Sequence, residues 1–248
     1  MNTLTKKTIN DVKINIITYH ELLEFIANAI SNKESRIIDY LNANTVVQCN
    51  KNIKLSSFMN NCDIVHADGV GVYLALKWLY GKKIVKERIN GTDFYFQLLS
   101  QLNESKSKVY CFGDTTIVLD RVVRMITKNY QNIGIAGVHH GYVDILDKHP
   151  AERIAKSDAD IVFVGLGCPL QEEWVEMYRT YLGTKVCLIV GGGLSFLSGV
   201  RPRAPVVFRW LGIEWIFRLL QEPKRMWRRY LFGIPKFMYI IFKQKISK

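Results

Sequence analysis

The residues best suited to chemistry stand just after short apolar runs. Asp68, in IVHADGVGVYLAL, follows such a run, precedes Gly69 and opens an apolar helical pattern. An aspartate there has two physical uses. Its oxygen accepts the orphan N–H groups of a helix N-terminus, or its carboxylate, kept ionised by the helix dipole, takes a proton from a substrate hydroxyl. Caps are the commoner use, and the local sequence is compatible with both. Arg88 and Asp93 flank Gly91 in ERINGTDFYFQLL. An arginine beside an acid in a loop entering a helix holds a phosphate or a sugar hydroxyl. The plainer reading makes Arg88 a solvated charge and Thr92 or Asp93 the cap of the next helix.

Two glycine-rich segments follow later strand-like runs. FVGLGCPLQEEW puts Gly167 and Cys168 before a helix opening at Pro169, a favourable first-turn residue. Such a turn offers backbone N–H groups to a diphosphate, with Gln171, and less directly Glu172, facing the pocket. A tight turn with acids in the first helical turn accounts for the same residues. LIVGGGLSFLSG, with Gly192 and Ser195, lacks both the Gly-Lys-Ser/Thr ending of a Walker A loop and GxGxxG spacing. Neither a P-loop ATPase nor an NAD enzyme follows.

Other candidates carry less. His139 and His140 are adjacent, point different ways and have no further metal ligands at a suitable spacing. They and Gly141 form a loop beside the expected pocket. Asp158 and Asp160 spell the DxD of metal-dependent sugar transferases but precede their strand. That puts them at its amino end, away from the ligand-binding edge of an α/β sheet. The five cysteines (Cys49, Cys62, Cys111, Cys168, Cys187) make no CxxC pair and imply a reducing compartment.

The elements that must position these residues alternate. RIIDYL, DIVHA, KVYCFG, NIGIAGVHH, ADIVFVG and KVCLIV read as strands, each followed by a turn signal. YHELLEFIANAIS, GVYLALKWLY, GTDFYFQLLSQLN, TTIVLDRVVRMITKNY and PLQEEWVEMYRTYL read as helices. The expectation is an α/β fold, a Rossmann-like and mainly parallel sheet flanked by helices. Residues 1–198 form this core, and 199–248 form a basic, aromatic-rich helical appendage that completes the active site. Of the chain's net +12, the last fifty residues supply twelve basic side chains against two acidic ones, among ten aromatics. This composition predicts docking to an anionic membrane surface. WLGIEWIFRLL is the piece of the appendage that reads most readily as a core helix. No apolar signal-peptide core or bilayer-length apolar run is visible. The expected location is the cytoplasmic face of a bacterial membrane, bound peripherally.

In order, LNANTVV, HADGVGV, ERINGTDF, GLGCPLQEEW, VGGGLSFLSG, RAP, GIEWIFRLLQEPKR and RRY resemble the WecG/TagA/CpsF family of bacterial glycosyltransferases, from about Asn42 to Phe232. The resemblance implies an inverting, metal-independent transferase without a cofactor. It would move a sugar from a UDP-sugar, N-acetylmannosamine-type or another hexose, onto polyprenyl-diphosphate-linked N-acetylglucosamine or a similar lipid-linked sugar. Such steps serve teichoic acid, capsule and exopolysaccharide synthesis. It implies Asp68 as base and Arg88 as its catalytic arginine. Asn42, Thr45, Asp93, Gly167, Gln171, Gly192, Ser195, Arg203, Arg218 and Arg225 would bind substrate. Tyr40 stands where many members carry threonine, and Ser195 where many carry aspartate, positions expected to touch the donor. A homo-oligomer is compatible with the sequence. The rival reading is a nucleic-acid-binding α/β module with a basic aromatic tail, which leaves the series of strand-end loops without a task. A nucleotide-sugar epimerase or dehydrogenase lacks its fingerprint and Tyr-x-x-x-Lys pair.

Overall fold

The computed structural model describes residues 4–247 apart from Leu211, and of the side chains in that range Arg209 and Arg225 lie outside the described set. Among the described residues the strands are β1 (Lys6–Ile9), β2 (Val12–Asn15), β3 (Arg36–Leu41), β4 (Ile64–Ala67), β5 (Lys108–Gly113), β6 (Gly134–His139), β7 (Ile161–Gly165) and β8 (Val186–Ile189). The first nine helices are α1 (Tyr19–Ser31), α2 (Ala43–Cys49), α3 (Ile53–Asn61), α4 (Gly69–Tyr80), α5 (Gly91–Glu104), α6 (Thr116–Asn129), α7 (His149–Lys156), α8 (Leu170–Tyr178) and α9 (Gly193–Leu197). Four more follow, α10 (Val206–Trp210), α11 (Glu214–Gln221), α12 (Pro223–Leu231) and α13 (Gly233–Ile246).

The strands form one sheet in the order β1-β2-β4-β3-β8-β7-β5-β6. Only β1 and β2 pair antiparallel; the other ladders are parallel. Every residue of β7 and β8 is buried, as parallel strands covered on both faces must be, hence their unbroken apolar sequence. One face packs on α2, α3, α4, α7, α8 and α13, the other on α1, α5, α6 and α9. The expected Rossmann-like α/β architecture is the one observed. The hairpin β1–β2 adds to the sequence reading. Asn10 and Asp11 adopt φ of 45° and 66° in its two-residue turn, conformations these side chains tolerate best after glycine.

Central β3 pairs with β4 on one side and β8 on the other. The loops leaving these three strands diverge at the carboxyl edge and open a crevice, where ligands bind in such sheets. The C-terminal helices close over it. Their packing reverses one expectation: α11, which carries most of WLGIEWIFRLL, buries no residue. Instead α13 buries Phe237 and Ile241, one turn apart, in the core beside α2 and α4. Gln244 fastens its end to the hairpin, donating to the Thr8 carbonyl (2.8 Å) and accepting from the Asn10 N–H (3.1 Å). Among the described residues no helix is long and apolar enough to cross a membrane.

Candidate active site

Asp68 occupies the N-cap position of α4, with φ −111° and ψ 131°, yet its side chain makes no capping bond. Gly69 turns the chain into α4 with φ +78°, a left-handed conformation that favours glycine. The carboxylate instead reaches the start of α5, where Oδ1 accepts the Gly91 N–H at 3.1 Å. The cap of α5 is Asn90, whose Oδ1 accepts the Thr92 N–H at 3.1 Å. Neither Thr92 nor Asp93 caps that helix, contrary to the sequence reading, because Asn90 stands one residue before its first turn. Asn90 also donates from Nδ2 to Glu214 Oε1 at 2.7 Å, tying α11 to the crevice. Asp93 pairs with Arg203, whose guanidinium lies 5.2 Å from the Phe96 ring centroid.

Asn42 caps α2. Its Oδ1 accepts the Thr45 N–H (3.0 Å) and hydroxyl (3.2 Å) and lies 3.4 Å from Arg229 Nη2. Thr45 is itself buried, so its contact is with Asn42. Arg88 is half-buried under Gly212, where φ is +72° and a Cβ would stand 3.0 Å from Nη1.

Two pockets meet at Asp68. The larger, about 810 Å³, is polar at Asp68, Arg88, Arg218 and Arg229 and apolar between α4 and α13. The smaller is lined by Tyr40, Gly91, Tyr95, Gly192, Arg201 and Glu222 among others. Asn42, Asp68, Asn90, Arg218 and Arg229 face both. Arg218 stacks on Phe196 (4.8 Å), and Arg201 pairs with Glu222 (3.2 Å) while lying against Gly192. Arg203 lines a small adjoining cleft with Thr92 and Arg218.

The structure thus brings Asn42, Asp68, Arg88, Gly192 and Arg218 together and sets other expected residues behind them. Gln171 has no exposed surface; it accepts the Gly167 N–H (3.1 Å) and donates to Glu172 Oε1 (2.9 Å). Ser195 is buried and donates to the Asp114 carboxylate. The Arg225 side chain falls outside the described residues. Asn90, Tyr95, Arg201 and Arg229 were not singled out from sequence, and Glu214 only as part of the GIEWIFRLLQEPKR motif that carries the resemblance. The Asn-Gly step before α5 is the signal that marks Asn90 as a cap. Arg201 and Arg229 lie among many arginines whose order of importance composition does not set.

Below the floor lie buried ionisable groups. Burial raises the Asp39 carboxyl well above the usual carboxylate range, and neighbouring Glu172 pushes it the same way. Glu172 is raised by burial too, against the opposing Gln171 bond. Among the described residues Asp39 Oδ2 and Glu172 Oε2 have no hydrogen-bond partner. Burial also lowers the His66 imidazole, outweighing the upward pull of Asp68. It packs between Tyr40 (6.3 Å) and Phe94 (6.0 Å). Burial pushes the Cys49 and Cys111 thiols up to about 12, consistent with small buried hydrophobes rather than nucleophiles.

Asp158 and Asp160 lie at the amino end of β7, where one pairs with Lys108 Nζ and the other accepts the Lys108 N–H (2.7 Å). His139 ends the edge strand β6, with His140 (5.0 Å) and His149 (6.0 Å) beside it and five strands between β6 and β2. None of the three is among the residues lining the pockets at Asp68.

A mostly parallel α/β sheet with an acid and several arginines between two pockets at its carboxyl edge has the layout of a group-transfer enzyme. The family model "Glycosyl transferase WecG/TagA/CpsF family" matches residues 7–248, and the chain belongs to that family of glycosyltransferases. It is 37% identical over 187 residues to the N-acetylglucosaminyldiphosphoundecaprenol N-acetyl-beta-D-mannosaminyltransferase of Staphylococcus aureus (strain MW2), covering 75% of this chain and 72% of the relative. The enzyme of the same name from strain MRSA252 is 38% identical over the same length and shares. Nothing in these comparisons supports a nucleic-acid-binding module.

Proposed function

We propose that this glycosyltransferase moves a sugar, of N-acetylmannosamine type, from a UDP-sugar onto a polyprenyl-diphosphate-linked N-acetylglucosamine, with inversion and without a metal. The observation that carries the reading is the position of Asp68 at the seam of the two pockets. The smaller pocket, about 110 Å³ with Arg201, Arg218 and the glycines at the start of α9, suits the diphosphate part of the donor. The larger takes the lipid-linked acceptor. Between them Asp68 removes the proton of the acceptor hydroxyl as that oxygen forms its bond to the anomeric carbon and the bond to UDP breaks. Gly91 N–H holds the carboxylate in place. Charge gathering on the departing diphosphate is met by Arg201 and Arg218, which line the smaller pocket.

The enzyme docks peripherally on the cytoplasmic face of the bacterial membrane. Lys224, Arg228 and Lys236 are exposed there beside the apolar side chains of Trp227, Leu231 and Phe232.

The test is to incubate the protein with a lipid-diphosphate-N-acetylglucosamine and a panel of UDP-sugars, without added metal, and weigh the products. One added N-acetylhexosamine is expected. No added sugar with any donor overturns the reading. Asp68→Asn should lower kcat by about 10²–10⁴-fold, the usual worth of a general base, while UDP binding holds. Turnover at the wild-type rate would sink the role of Asp68.

A further inference from the structure

We propose that the enzyme takes the first isoprene units of its acceptor into a trough of its own, between α4 and α13, so that they are not left in the bilayer. The inference rests on the acceptor reading above and extends it to the lipid chain. Leu74, Trp78, Phe237, Met238, Ile241 and Phe242 wall the apolar part of the larger pocket. Phe237 and Ile241 are core residues, but Leu74 is 56% exposed, Trp78 48%, Met238 63% and Phe242 52%. Trp78 and Phe242 stack across the gap from opposite helices, with ring centroids 6.3 Å apart. Neighbouring apolar side chains left open to water in this way mark a binding surface.

Two features select the occupant. The trough is continuous with the cavity that holds Asp68, so its ligand is attached to a reacting group. Arg88 and Arg229 stand at the head of the same cavity, in the order an isoprenyl diphosphate presents its own parts, anion first and hydrocarbon behind. The volume of about 810 Å³ is that of a site for a whole small molecule, larger than one sugar needs.

The experiment is a calorimetric titration of the full chain with dimethylallyl, geranyl and farnesyl diphosphate, each below its micellar concentration, with neither lipid nor detergent present. Affinity should rise at least fivefold with each added isoprene unit. Leu74→Glu on α4 and Phe242→Glu on α13, both at exposed positions, should flatten the series. Ile117→Glu, an exposed apolar residue on α6, should leave it steep. A flat series in the wild-type protein overturns the trough. A flat series together with a dimer that Leu74→Glu dissociates assigns the face to a second copy of the chain and overturns it equally. A steep series from a protein that transfers no sugar leaves the trough standing and removes the transfer reading instead.

Discussion

Asp68 shows how far a single residue could be read in advance. Its type, its place after a strand and the helix behind it pointed to a cap or a base. Only the three-dimensional structure shows the carboxylate turned from its own helix toward Gly91. The turn depends on Gly69 and on a loop 23 residues away, which no local pattern contains. Gln171 and Ser195 teach the converse. Both belong to glycine-rich strand exits, yet they are buried, bonded to Glu172 and to Asp114. The buried acids also yield a prediction at this scale. Asp39 holds its proton more tightly folded than unfolded, so it contributes stability that is full below its unfolded pKa and is lost as pH rises through the folded one. Asp39→Asn keeps the acceptor for the Tyr40 N–H (2.7 Å) and removes that loss. Its melting temperature should exceed wild type at pH 8 by more than at pH 5, at roughly 2–4 °C per kcal/mol for a chain of this size. The gap between the proteins is the measure, because lowered His66 gives wild type and variant alike an opposite slope as pH falls through its unfolded value. A gap that narrows at pH 8 would contradict the assignment.

At the scale of elements, six strands and five helices were legible because apolar runs and 3.6-residue periodicity came with turn signals at their ends. The hairpin β1–β2 was legible in principle from Asn-Asp between alternating residues, but its short strands carry few large apolar side chains. The fates of α11 and α13 were not legible. Both are amphipathic, and which one enters the core depends on where α2 and α4 leave a gap. What holds α11 is a short set of contacts: Glu214 on Asn90, Arg218 on Phe196, Trp215 on Tyr230 and Phe217 on Phe208. An element with no buried residue and few anchors belongs to the low-stability end of a fold. Glu214→Ala should therefore raise amide exchange across Glu214–Gln221 by about 5–10-fold, the worth of one hydrogen bond of roughly 1 kcal/mol. The melting temperature should hardly move, and KM for the donor should rise because Arg218 is carried on α11. Unchanged exchange in that helix would show that the Asn90–Glu214 bond does not restrain it.

For the whole molecule, the uneven charge was the most legible feature and the easiest to misread. A net +12 suggests nucleic acid until its placement is seen, with most of it beside the exposed aromatics of the last four helices. Folding divides that tail between two tasks. α13 packs one face into the core and walls the larger pocket, while Lys224, Arg228 and Lys236 remain exposed. A lysine or arginine near an anionic bilayer contributes roughly 1 kcal/mol. Replacing these three by glutamine should weaken binding to phosphatidylglycerol vesicles by about 3 kcal/mol, roughly 100-fold. The same substitutions should leave the unfolding free energy within about 0.5 kcal/mol of wild type, as changes to exposed side chains do. Flotation with anionic and neutral vesicles, at low and high salt, reads the effect directly. Binding should follow vesicle charge and weaken with salt, and duplex DNA at equal phosphate should not displace the protein from the vesicles. Equal flotation with neutral vesicles, or release by DNA, would mean that the basic helices serve something other than the membrane that carries the acceptor.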